Sequence, residues 1–196
     1  MVLGLAYVAH TRNDVWLTDE TLWRDDIEKS PQNARGHLNL GVALAKIPGR
    51  LPEAIQEDQI ALGLDPNVEF GHLRLGKALA KLPGRASEAA REFQVSVKTY
   101  PNSADAHMNL GVSLSQISDQ LPNALKELNE AIRLDPALVD AHNNLGVTLW
   151  KLGRSSDAIQ EYETALQLNP NLVEAHSNLA VALAQIPGRL PEAINE

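Results

Sequence analysis

Residues 104–111 read Ala-Asp-Ala-His-Met-Asn-Leu-Gly, and residues 139–146 read Val-Asp-Ala-His-Asn-Asn-Leu-Gly. The same phrase stands at 34–41 (Ala-Arg-Gly-His-Leu-Asn-Leu-Gly), at 69–76 (Glu-Phe-Gly-His-Leu-Arg-Leu-Gly) and at 173–180 (Val-Glu-Ala-His-Ser-Asn-Leu-Ala). From Leu40-Gly41 to Leu179-Ala180 the steps are 35, 35, 35 and 34 residues. Pro31, Pro66, Pro101, Pro136 and Pro170 keep the step upstream, and Ala54, Ala89, Ala124, Ala158 and Ala193 keep it downstream. A fixed period of this size marks stacked supersecondary units rather than one compact enzyme domain. Such stacks bind along an extended face, which is where function is to be sought.

Each repeat reads as two helices. Leu38, Leu40, Leu44 and Ile47 fall on one helical stripe, and Pro48-Gly49-Arg50 breaks it. Pro52 suits the first turn of a second helix, which carries Ala54, Ile55, Ile60, Ala61, Leu62 and Leu64 and ends at Asp65-Pro66. The expected organisation is an apolar stub at 1–15, a capping helix at 16–31 with Thr18 as N-cap, and an array over 32–196. The repeats fall at 32–66, 67–101, 102–136, 137–170 and, in part, 171–196. A glycine in each Leu-Gly pair weakens a helix by about 1 kcal/mol. A missing Cβ lets a neighbouring helix come close, and Ala180 is the next smallest choice.

The 196 residues carry a net charge of −8 and no cysteine. Nucleic acid is therefore a poor partner, and disulfide and thiolate chemistry are excluded. Apolar residues make up 44% and aromatics only 4%, a core of small aliphatic side chains suited to close helix packing. No phosphate loop, nucleophile motif or paired-acid constellation appears, so no enzyme activity and no cofactor are expected. The recurring histidines at 37, 72, 107, 142 and 176 are one repeat apart. That spacing, roughly 8–10 Å or more between packed helices, is too wide for shared zinc ligation, so a helix-interface role is expected.

The pattern resembles the tetratricopeptide repeat (TPR) family, whose repeats of about 34 residues place small residues, alanine and proline at fixed positions. Gly41, Ala54, Ala61 and Pro66 match it, as do Gly76, Ala89, Phe93 and Pro101. Gly111, Ala124, Ala131 and Pro136 match, and so do Gly146, Ala158, Tyr162, Ala165 and Pro170. The resemblance implies an all-α, right-handed superhelical solenoid of antiparallel helix pairs whose first helices line a concave groove. Asp58 departs from it, standing where an aromatic is common; buried and unpaired it would be costly, so it is expected to reach water or a basic group. Gly63 in the same helix adds a weak spot.

On that template the groove-facing residues include Asn39, Arg74, Asn109, Asn144 and Asn178 in one row, with Asn143 and Trp150 beside it. An asparagine amide both donates and accepts, so a row of them can hold a peptide by its backbone; the row resembles the asparagine ladder of the O-linked N-acetylglucosamine transferase repeats. The alternative is that each amide bonds a neighbouring helix. Arg35, Lys46, Lys77 and Lys81 give the first repeats a basic lining, whereas Asp105, Asp140 and Glu174 lie further on. An acidic segment or terminal carboxylate docking near Arg74 and Lys77 is one expectation; ordinary solvated charge is the other. Asn39 followed by Arg74 partly resembles a chaperone-binding carboxylate clamp, but Phe70 replaces its lysine. Trp150 is either a binding hot spot or a cover for the adjacent turn.

The main expectation is a non-catalytic module binding an extended peptide or partner protein. The stretch Arg12-Asn13, Trp16, Leu22-Trp23, Ser30-Pro31, Ala34-Arg35 and Asn39-Leu40-Gly41 resembles the junction of membrane-anchored TPR proteins of the O-mannosyltransferase-like class. That resemblance implies an accessory extracytoplasmic domain whose apolar residues 1–9 end a transmembrane helix; otherwise the compartment is cytoplasmic or undefined. A third expectation is a structural scaffold that self-associates through an uncapped C-terminal repeat.

Overall fold

The computed structural model describes residues 18–68, 70–186, 188, 189 and 193. The stub at 1–15, the first two residues expected in the capping helix, and the second helix expected from Pro191, Ala193 apart, lie outside them. The described residues form ten α-helices: α1 (Asp19–Lys29), α2 (Ala34–Ala45), α3 (Leu51–Leu64), α4 (Gly71–Ala80), α5 (Ala86–Thr99), α6 (Ala104–Ser115), α7 (Leu121–Leu134), α8 (Val139–Lys151), α9 (Ser155–Leu168) and α10 (Val173–Ala184). A short 3₁₀ turn, Ser118–Gln120, precedes α7. No helix among the described residues is long and apolar enough to cross a membrane.

Boundary chemistry explains where the helices start and stop. The Thr18 side chain accepts from the Thr21 amide and the Thr21 hydroxyl closes a capping box back to Thr18. Asn33 and Ser103 cap α2 and α6 through the amides of Gly36 and Ala106. Pro52 and Pro122 stand in the first turns of α3 and α7. In the Pro-Gly turns, Gly49 and Gly84 take φ of 82° and 77°, a region in which a side chain is strained.

The helices divide into two units, between Leu82 and Pro83. In the N-terminal unit α1 packs on α2, α2 on α3 and α3 on α4, while α2 also touches α4. Its core joins Leu40, Leu44 and Ala54 to Trp23 and Ile27 of α1, with Leu38, Ala61 and Val68 beside them. In the C-terminal unit each helix from α5 to α10 packs on the next, and α6 meets α8 as α8 meets α10. Leu128, Leu145, Leu149, Tyr162, Leu179 and Leu183 share one core there. Ile47, expected on the apolar stripe of α2, instead lies in the turn after it and is 36% exposed.

Two repeated contacts bind first helices to second helices. The first is the glycine. A Cβ on Gly111 would lie 2.7 Å from Leu128 Cγ and 3.1 Å from the Ala124 carbonyl oxygen. On Gly146 it would lie 2.5 Å from Tyr162 Cε1 and 3.1 Å from the Ala158 oxygen. The second contact is the histidine. His37 Nδ1 is 2.7 Å from Glu57 Oε2, and its Nε2 is 3.1 Å from the Pro31 carbonyl oxygen. His107 does the same with Glu127 and Pro101, and His142 with Glu161 and Pro136. All three rings are buried. Each ring nitrogen faces an oxygen, so whichever nitrogen carries a proton has an acceptor.

The glycines yield opposite predictions. Gly63, in α3, has nothing within 4 Å of a Cβ built on it. Gly63→Ala should therefore raise stability by about 0.5–1 kcal/mol through helix propensity. Gly111→Ala should lower it by about 1–3 kcal/mol, because Leu128 and a backbone oxygen must move. Urea unfolding of the two variants measures both.

Candidate functional site

Helix α3 carries Ala54 against Gly41 and, one turn on, Asp58. The equivalent places in α7 and α9 hold Leu128 and Tyr162, which fill the space against Gly111 and Gly146. Aspartate, branched like leucine, fills the same point against Gly41. Beside it lies a pocket of about 230 Å³, lined by Asp58 and Gly41 and by the cationic side chains Lys46, Arg74, Lys77 and Lys81. Asp58 is only 3% exposed. Its Oδ1 has no hydrogen-bond partner, and it points at Gly41, where a Cβ would stand 2.5 Å away.

The sequence expectation for Asp58 thus needs correction. The carboxyl makes no ion pair and is almost wholly shut off from water: Oδ1 is sealed against Gly41, and only the charge of Arg74 acts on it from a distance. Burial pushes it up from the ordinary aspartate value of 3.8 to about 7, the dominant effect. The Arg74 charge pulls the other way, and Glu57 pushes it further up. Glu57, its neighbour on α3, is instead bonded to His37.

The other residues singled out in the sequence divide by unit. In the N-terminal unit Arg74 Nη1 donates to Asn39 Oδ1 over 3.4 Å, joining α4 to α2. Lys46 Nζ reaches Asp19 Oδ2 at 3.2 Å. Arg35 is exposed in the first turn of α2 and does not line the pocket. In the C-terminal unit the Asn109 amide nitrogen donates to the Asp105 carbonyl oxygen (2.7 Å) and to Asp105 Oδ1 (2.8 Å). Asn144 donates to the Asp140 carbonyl oxygen at 2.7 Å. Asn178 donates to Asn143 Oδ1 at 3.0 Å, bridging α10 and α8. Trp150 is half-buried against the core that includes Leu149. Among the described residues no three His, Cys, Asp or Glu side chains gather to hold a metal ion.

Models of the tetratricopeptide repeat match residues 20–69 and 72–103, and a TPR repeat model matches 117–153 and 152–186. The chain is a tetratricopeptide-repeat protein. No match is found among curated proteins. Among solved structures this TPR chain resembles MamA with a TM-score of 0.71 and 25% identity, over 84% of this chain and 88% of that one. A thermophilic TPR protein of Thermus thermophilus matches at TM-score 0.67 and 27% identity, over 83% and 87% of the two chains. YrrB, described as a TPR protein with an unusual peptide-binding site, matches at TM-score 0.69 over 88% of this chain and 89% of that one; at 20% identity the likeness is one of fold.

The buried acid makes the stability of this TPR chain depend on pH in an unusual direction. Below the ordinary value of 3.8 both folded and unfolded Asp58 hold a proton, and the group has no effect. As pH rises toward about 7 the unfolded state ionises first, so stability falls; above about 7 the loss is complete. The whole effect is at most ~4 kcal/mol. Asp58→Asn cannot ionise, so its melting temperature should gain on wild type steadily between about pH 4 and pH 8. A constant difference in parallel thermal melts would show that Asp58 is not held protonated.

Proposed function

We propose that this TPR chain is a non-catalytic recognition module that takes an extended, acidic segment of a partner protein on the faces of its first helices. The observation that carries this is the clustering of Lys46, Arg74, Lys77 and Lys81 about one pocket in a chain whose net charge is −8. A basic patch on an acidic protein serves selection more than solubility: the global charge repels acidic partners at long range, and only a segment that fits the patch recovers that cost. TPR repeats are interaction modules in general, and YrrB is described as having a peptide-binding site.

The C-terminal unit supports the same reading with different chemistry. The amide nitrogens of Asn109 and Asn144 are turned to their own helix, so it is the amide oxygens that are offered to a peptide N–H. An oxygen on each repeat suits main-chain recognition with little side-chain selectivity.

The test is direct. A short labelled peptide alternating Glu and Ala should bind at least about tenfold more tightly than its Gln-Ala counterpart in fluorescence anisotropy, and the gap should narrow as salt is raised. Arg74→Glu should abolish the preference. Equal affinity for the two peptides would remove the acidic-segment reading.

A further inference from the structure

We draw no further inference here: the strongest candidate, the apolar cavity of about 390 Å³ where α9 turns into α10, lined by Leu166, Pro170, His176 and Leu179, carries nothing because nothing in the structure shows what covers it.

Discussion

The missing Cβ on the first helices of the first four repeats is the constraint from which the rest follows. At Gly41, Gly111 and Gly146 the carbonyl oxygens of Ala54, Ala124 and Ala158 come to 3.1 Å from where that Cβ would stand. Helices this close leave room for only one further side chain, the residue a turn beyond the alanine. That residue is Asp58, Leu128 or Tyr162, and each ends within 2.7 Å of the same point. What this residue is therefore determines whether the interface is apolar or carries a buried acid. Leucine and tyrosine complete a core at interior packing density. Aspartate occupies the same point and puts a buried carboxyl beside a pocket.

The histidine contact fixes the angle at which the helices meet. One ring bonds the second helix of its own repeat through a glutamate and the preceding turn through a proline carbonyl, so three segments are tied at one buried point. Neighbouring acids on α3 meet opposite fates because successive residues of a helix point in different directions. Glu57 finds His37 at 2.7 Å, whereas Asp58 faces the glycine surface and finds no partner for Oδ1. Chemically similar side chains become a structural pin and an unpaired buried acid through one residue of register.

Much of this was legible in the sequence, and the remainder was withheld for physical reasons. Period, turn positions, the Thr18 cap and the need for a small residue at Gly41 all follow from local rules, and the structure has them. The histidine pins had a signal that the packing expectation passed over. A glutamate stands at 57, 92, 127, 161 and 196, one near-constant step after each histidine. The asparagine amides were not legible, because Asn109 and Asn144 choose between a ligand and the carbonyl four residues back by rotamer alone. Asp58 stood out as a departure, but whether it reached water depended on how α2 and α4 close over it.

A sequence whose local choices agree with its fold has no reason to keep an acid in a helix interface. Leucine at that point would match the aspartate's branching and remove a group that burial holds to about 7. Phe93, Leu128 and Tyr162 show that the architecture accepts apolar side chains at this place in the repeat, so Asp58 is not required by the stack. Local rules are broken at functional sites, where stability is given up for chemistry. The nearest cation does not pair with Asp58. A stray buried acid would be best served by one close salt bridge, yet Arg74 lies near enough to act on its titration and donates instead to Asn39. Arg74 thus ties α4 to α2 while its charge opposes the effect of burial on Asp58.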